Sequence, residues 1–319
     1  MLRDFEKNRR IQKIYHNPIS DLDGLPLPKY ELLLKKPIGK MLPVQAGRGC
    51  THSCNFCSIA SLYMGKYLTR KVDGVLRDIQ RVKDLGFNRF YLLDDNIASN
   101  PKYMETLCKE IEPLKMTWAG QCTLYLAKNP ALLALVRRSG GNLMSFGIES
   151  ITQEGLNRLE KSWLKVDEHE KLLKTISEAG IMVSSEMMLG TDSDTEESIR
   201  ATYDFIQKNK IPIPRFYILI PTPGSTLYQN IKSENRLLTE DLREYDGSHC
   251  VYEPENLSPE KVDELYWWIY RKVFSWKSII ARVVLNPAAL RSPFLHLFAL
   301  VINIHYRKYI KKGVPPNIF

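Results

Sequence analysis

At 319 residues the chain exceeds a typical single domain and suits an α/β barrel of about 200–250 residues with an appendage. An apolar share of 44% and an aromatic share of 10% exclude a disordered chain. The formal net charge of +9 calls for something anionic, whether nucleic acid, an acidic headgroup surface or a phosphorylated substrate, and does not choose among them.

No basic start followed by an apolar run opens the sequence, so no secretory signal is read and a cytoplasmic, reducing compartment is expected. Residues 1–40 carry charged and turn-forming material ending in "NPISDLDGLPLPKYELLLKKP", which reads as an extended linker with one helical turn. From Met41 to about residue 230, β-like and helix-like runs alternate. The predicted strands are "MLPVQAG", "RFYLLDD", "MTWAGQC", "NLMSFGIES", "IMVSSEMMLG" and "RFYILIPTPG". Between them Val72, Val75, Leu76, Ile79, Val82 and Leu85 recur at helical spacing, with Gly86 as a stop. "NPALLALVRRSGG", "DEHEKLLKTISEAG" and "DTEESIRATYDFIQKN" are further helices, the last opening on an Asp/Thr cap with acids in its first turn.

Strand and helix alternating about six times predicts a parallel sheet, and six units make an incomplete barrel. The fold class expected is therefore α/β, a partial (β/α)6 TIM-like barrel over 41–230, with a helical C-terminal extension over 231–319. Its reactive face belongs at the C-terminal edge of the strands. In the extension, "SPEKVDELYWWIYRKVFSWKSIIARVV" reads as one long helix capped by Ser258 with Pro259 in its first position. The apolar run Pro293–Ile304 is twelve residues long, too short to span a bilayer. It reads first as a core helix packed on the barrel; the alternative is an interfacial helix whose Arg307, Lys308, Lys311 and Lys312 meet anionic lipid.

Three of the six cysteines crowd into "AGRGCTHSCNFCS": Cys50, Cys54 and Cys57, spaced C-x3-C-x2-C. Chance would give that spacing in roughly 0.2% of such chains, so it demands an account. A disulfide would strand the third thiol. A structural zinc site wants four closed ligands; His52 lies between two of the cysteines, and no second pair follows at zinc-finger spacing. A ferredoxin-type run wants a fourth cysteine. Three thiolates on a short loop leave one iron of a 4Fe–4S cube without a protein ligand, and a metal with an open position does chemistry on whatever fills it. Gly47 and Gly49 allow close wrapping of the loop, and Phe56 would shield it from water.

"CTHSCNFC" resembles the CxxxCxxC signature of radical S-adenosylmethionine (radical SAM) enzymes, and later motifs follow in the family's order over about Met41 to Tyr228. "YLLDDNIAS" resembles the second-strand motif near the methionine amino group, with Asp94, Asp95 and Asn96 in place of Gly-Gly-Glu, as in the cobalamin-associated branch. "SFGIES" resembles the fourth-strand motif that meets the ribose, which implies Glu149 as ribose acceptor with Ser150 beside it. "EMMLGTDSDTEES" resembles the adenine-bracketing element, with Gly190 as its glycine and no proline after it. "ILIPTPGSTLY" is similar to the sixth-strand element. Lys161 matches a basic position near the cofactor carboxylate, or else a solvated helix end.

The resemblance implies that Cys50, Cys54 and Cys57 hold three irons, that S-adenosylmethionine chelates the fourth, and that an electron from the cluster cleaves the sulfonium to start methylation or rearrangement. It implies an electron donor such as flavodoxin or ferredoxin. "PISDLDGLPLPKYELL" looks like the segment joining a cobalamin-binding domain to the barrel, yet nothing in residues 1–40 resembles the D-x-H-x-x-G ligand loop. The chain is then a shortened member, a piece of a longer protein, or one that borrows cobalamin in trans. The tail resembles members acting on lipids, tetrapyrroles and antibiotics, and a lipid or isoprenoid substrate with peripheral membrane contact is preferred. The alternatives are a non-catalytic iron–sulfur or zinc-binding scaffold and an RNA-modifying enzyme. Nucleic acid is disfavoured because no RNA-binding module is seen. Of the other cysteines, Cys108 and Cys250 read as structural; Gln121 and Cys122 read as barrel lining.

Overall fold

The computed structural model describes residues 2–9, 11, 21–34 and 41–316. Residues 12–20 and 35–40, part of the expected linker, lie outside the described residues. The preceding stretch holds a helix over Leu2–Asn8, and one 3-10 turn follows over Tyr30–Leu32. Tyr30 is buried, and its hydroxyl donates to the Pro43 carbonyl at 2.6 Å, fixing that turn to the first strand.

Six parallel strands stand side by side in chain order: β1 Leu42–Val44, β2 Arg89–Leu92, β3 Thr117–Cys122, β4 Gly141–Glu149, β5 Met182–Leu189 and β6 Ile213–Ile218. Helices α1 Val72–Asp84, α2 Pro101–Ile111, α3 Pro130–Arg138, α4 His169–Glu178 and α5 Glu196–Lys208 connect them. This is the partial TIM-like barrel that the alternation of periods predicts. Each helix buries one stripe on the sheet: Val75, Ile79 and Val82 from α1, Leu172, Leu173 and Ile176 from α4. Thr195 caps α5 as expected, accepting from Ser198 N–H while the Ser198 hydroxyl accepts from Thr195 N–H.

Two expectations are corrected. The first predicted strand is not continuous. After Val44 the chain leaves the sheet, and Gly47–Gly49 pairs antiparallel with Tyr67–Thr69 as a separate ribbon. The exit is fixed by Asp94, which accepts from Ala46 N–H at 2.8 Å, and by Arg70, which donates to the Gln45 carbonyl at 2.7 Å. A Cβ on Gly47 would lie 2.6 Å from the Tyr67 ring, so the ribbon closes only on glycine there.

The long tail helix is also broken. Ser258 caps α6, Pro259–Val273, but the helix stops at Phe274; Ser275 caps a new turn over Trp276–Ile279, which passes into a π-helical segment over Ile280–Val284. The last helix, α7, runs from Pro293 to Ile310. Its inner side, with Ala299, Asn303, Tyr306 and Ile310, is buried, whereas Phe294, Leu297, Val301 and Ile304 are exposed, Phe294 at 86%. No helix among the described residues is long and apolar enough to cross a membrane.

Candidate active site

The cysteine loop leaves the ribbon at Gly49 (φ +93°) and ends where a short helix, Ser58–Tyr63, begins. Gly49 N–H donates to Asp95 at 2.7 Å, and a Cβ on Gly49 would lie 2.2 Å from the Lys66 carbonyl. Asn55, buried between the second and third cysteines, pins the loop to the barrel rim. Its N–H donates to the Leu159 carbonyl, its side-chain amide to the Arg158 carbonyl, and its own carbonyl accepts from Leu227 N–H. Three main-chain and side-chain ties on one residue hold the loop in place independently of any ligand.

All three thiols are free and half-buried, and they face one cavity of about 850 Å3 inside the barrel. Burial pushes the Cys54 thiol up to about 12. Burial raises Cys57 too, while the N–H groups of Ala60 and Ile59, at the start of the helix, pull it back. The Asn96 side-chain amide points at Cys50 Sγ, 3.5 Å away. Phe56 packs against a small apolar cluster that includes Leu159, Leu227 and Tyr252.

Across the cavity Glu149 ends β4 with φ +65°, a left-handed conformation that a side chain occupies only when its surroundings impose it. The imposing partner is Lys161, whose ammonium donates to Glu149 Oε1 and to the Gly147 carbonyl, each at 2.8 Å. Both side chains are less than a tenth exposed. A Cβ on Gly147 would meet that carboxylate at 2.3 Å, so the glycine makes room for the pair. Lys161 also stands 5.5 Å from the Trp163 ring, and Trp163 stacks on His52 at 3.7 Å between centroids. Burial and the neighbouring Lys161 lower the His52 pKa. The Lys161 ammonium is thus no solvated helix end.

Of the residues expected at a cofactor, Phe56, Asp95, Glu149 and Lys161 line the cavity with the cysteines. Asp94, Ser150 and Gly190 stand behind its wall. Asp94 takes the Ala46 N–H on one oxygen and the Tyr67 hydroxyl on the other, and burial raises its carboxyl to about 6. Ser150 accepts from Thr152 N–H in the turn before the next helix. Gly190 faces Val262, and its carbonyl accepts from the Tyr252 hydroxyl. Gln121 and Cys122 line the barrel as expected, and Cys108 is buried in the core. Cys250 makes a local contact, its thiol donating to the Tyr252 carbonyl at 3.2 Å.

Sequence reading missed a second polar group at the middle of the barrel. Glu186 on β5 and Arg215 on β6 are paired in register, 3.4 Å apart. The Ser145 hydroxyl donates to the same Glu186 oxygen. Burial raises the Glu186 carboxyl against the opposing pull of Arg215 and Ser145. The signal was present as polar residues at alternate positions in otherwise apolar strands, "SSEMML" and "PRFYI".

An incomplete parallel barrel with a thiol trio at its mouth and an inward-facing carboxylate–ammonium pair is the arrangement that the resemblance of "CTHSCNFC" to a radical-enzyme signature implies. The chain belongs to the Radical SAM superfamily, whose family description matches residues 44–206. Membership implies a 4Fe–4S cluster and S-adenosylmethionine as cofactors. Bacteriochlorophyllide d C-12(1)-methyltransferase of Chlorobaculum tepidum is 30% identical over 267 residues, 82% of this chain and 58% of that protein. Hopanoid C-2 methylase of Rhodopseudomonas palustris is 30% identical over 70% of this chain and 44% of its own length. The chain thus spans about half the length of these curated relatives. Among solved structures, the radical SAM methyltransferase TsrM from Kitasatospora setae, with cobalamin and a [4Fe-4S] cluster bound, shares the fold with a TM-score of 0.62 at 16% identity, over 78% of this chain and 52% of that one.

Proposed function

We propose that this chain cleaves S-adenosylmethionine reductively at a 4Fe–4S cluster held by Cys50, Cys54 and Cys57, and turns the chemistry on an apolar, lipid-like or isoprenoid substrate by methylation or rearrangement. The observation that carries the reading is the convergence of three free thiols and the buried Glu149–Lys161 pair on one cavity.

Cluster and S-adenosylmethionine together supply one-electron cleavage of the sulfonium. The chain's part is to seat and dry them. Asn55 holds the cysteine loop, Asn96 offers an N–H to a thiolate, and Phe56 excludes water. Glu149 would accept from the ribose hydroxyls and Lys161 would meet a carboxylate, so the pair would exchange partners when the cofactor enters. Residues 41–230 form the unit that carries this activity, and 231–319 form the helical part that closes the cavity through Phe298. A basic protein suits an acidic electron carrier such as flavodoxin or ferredoxin. The apolar wall of the cavity and the hopanoid named for one of the two relatives support the substrate class.

Anaerobic reconstitution should give four irons and four sulfides per chain and release 5′-deoxyadenosine with dithionite. Replacing the three cysteines by alanine should abolish both. One zinc per chain, or cleavage surviving in the triple variant, refutes the proposal. Addition of hydroxocobalamin with methyl-labelled S-adenosylmethionine tests whether cobalamin carries the methyl group.

The outer face of α7 favours a second reading, peripheral attachment to a cytoplasmic membrane surface. Phe294, Leu297, Val301 and Ile304 lie bare at helical spacing, and Arg307, Lys308, Lys311 and Lys312 follow. Flotation with anionic liposomes should fall at least tenfold in the Phe294→Ser/Val301→Ser double variant. Equal partitioning of variant and wild type sinks it.

A further inference from the structure

The barrel cavity has three levels. At the mouth are the cysteines and the Glu149–Lys161 pair. At the opposite end the wall is apolar, made of Met41, Pro43, Leu143, Ile213 and, from α7, Phe298. Between them runs a polar belt of Ser145, Glu186, Arg215 and Tyr217. Register places it: Gly147, Glu186 and Arg215 share one rung, two residues below Glu149 on β4, or about 7 Å along the strand.

Arg215 is the incomplete member of this belt. A guanidinium has five N–H donors. Among the described residues this one makes a single hydrogen bond, a long 3.4 Å contact to Glu186, and otherwise stands 5.3 Å from the Tyr217 ring. Glu186 by contrast has a second partner, because the Ser145 hydroxyl also donates to its carboxylate. The Arg215 side chain is only 16% exposed, and what it exposes opens into the cavity. A largely buried cation with most of its donors idle is costly unless a ligand completes it. Compare Arg282, fully buried nearby, which places five hydrogen bonds on protein acceptors.

We propose that Arg215 determines substrate specificity by binding an anionic oxygen group, carboxylate or phosphate, of a substrate whose apolar body fills the Met41–Ile213–Phe298 end of the barrel. This deepens the reading given above and rests on the same cavity. It makes the substrate an anionic amphipath, not a neutral hydrocarbon. Glu186 holds the guanidinium in place before the ligand arrives and competes with it afterwards. Arg215 is thus bidentate toward a ligand, which lysine at this position would not be.

The test is binding of cis-parinaric acid and its methyl ester to the full chain, followed by the fluorescence each gains on leaving water. It needs neither cluster nor S-adenosylmethionine, so its failure and a failure of sulfonium cleavage are separate results. The acid should bind at least tenfold more tightly than the ester. Arg215→Met should erase that preference while ester binding persists, and Glu186→Gln should tighten the acid several-fold. Competition by dodecanoate, dodecyl phosphate and dodecanol then tells the anions apart: displacement by the carboxylate or by the phosphate names the group read. Equal affinity of acid and ester for the unaltered chain overturns the proposal, as does dodecanol competing as well as either anion. Neither of those two results depends on a variant folding.

Discussion

Arg282 fixes the helical tail to the barrel, and its replacement has a calculable cost. The guanidinium is fully buried, and burial draws its pKa down to about 9. Nε donates to Ser278 Oγ at 3.1 Å. Nη1 donates to the Ile211 and Pro212 carbonyls, just before β6, and Nη2 donates to the Val273 carbonyl and to Asn303 Oδ1 at 2.9 and 3.0 Å. One side chain therefore joins the last barrel strand, the end of α6 and the middle of α7. In Arg282→Met, Ser278 keeps its bond from Gln207 and the Pro212 carbonyl keeps its bond from Asn303. The Ile211 and Val273 carbonyls and Asn303 Oδ1 lose the donor described here. At about 1–3 kcal/mol for each stranded acceptor, partly offset because a desolvated cation is gone, the net loss is about 3 kcal/mol. Over 319 residues, at about 2.1 cal/mol/K per residue, that lowers Tm by about 4–5 °C. Arg282→Lys should cost at least as much, since an ammonium keeps the charge but serves at most three acceptors. Urea unfolding of both variants checks the magnitude, and hydrogen exchange over residues 293–310 checks the place. Variants within 0.5 kcal/mol of wild type (~2-fold in the equilibrium constant) would refute the account of the tail.

His169 is fully buried with neither ring nitrogen bonded among the described residues, and burial pulls its pKa from 6.5 to about 4. A folded pKa below the unfolded one means that the unfolded chain takes the proton first. Stability is then full above pH 6.5 and declines as pH falls toward 4, by on the order of 2–3 kcal/mol between pH 7 and pH 4.5. Denaturation of His169→Phe beside wild type should show that much less loss; parallel curves contradict it. Gly49→Ala forces a Cβ onto the Lys66 carbonyl at a φ of +93°, at a cost of about 2 kcal/mol or more. It should reduce iron taken up on reconstitution while circular dichroism stays native, and full iron loading would show that the ribbon tolerates the atom. Glu149→Gln and Lys161→Met each strand a buried partner and should cost about 3 kcal/mol, whereas the double variant should recover most of that without recovering sulfonium cleavage. Additive losses would mean that the two side chains are not coupled.

The barrel was legible because each of its units announces itself locally, by a change of period from two to 3.6 between turn residues. The break in the tail was not, because aromatic and apolar residues keep helical spacing straight through Phe274 and Ser275. What ends α6 is tertiary: Arg282 takes the Val273 carbonyl, the last in the helix. The separate ribbon was hidden for a similar reason, since Asp94 and Arg70, 48 and 25 residues away, hold the chain where it leaves β1.

Within the site, the motifs located the right neighbourhoods but could not choose between adjacent residues. Strand parity can. Tyr91, Leu93 and Asp95 line the cavity, so Asp94, one residue out of step, must face the other way, toward Ala46 and Tyr67. Leu143, Ser145, Gly147 and Glu149 line it in the same manner, and Ser150 falls out of step. Ser184, Glu186 and Met188 follow on β5, then Ile213, Arg215 and Tyr217 on β6. The same alternation that makes Asp95 and Glu149 cavity residues also makes Glu186 and Arg215 cavity residues. In a filled barrel those inward positions would be apolar and packed. Charges at two of them, side by side in register, mark the interior of this barrel as a binding chamber, and both could have been assigned from the strands' own period once Glu149 was taken as facing inward.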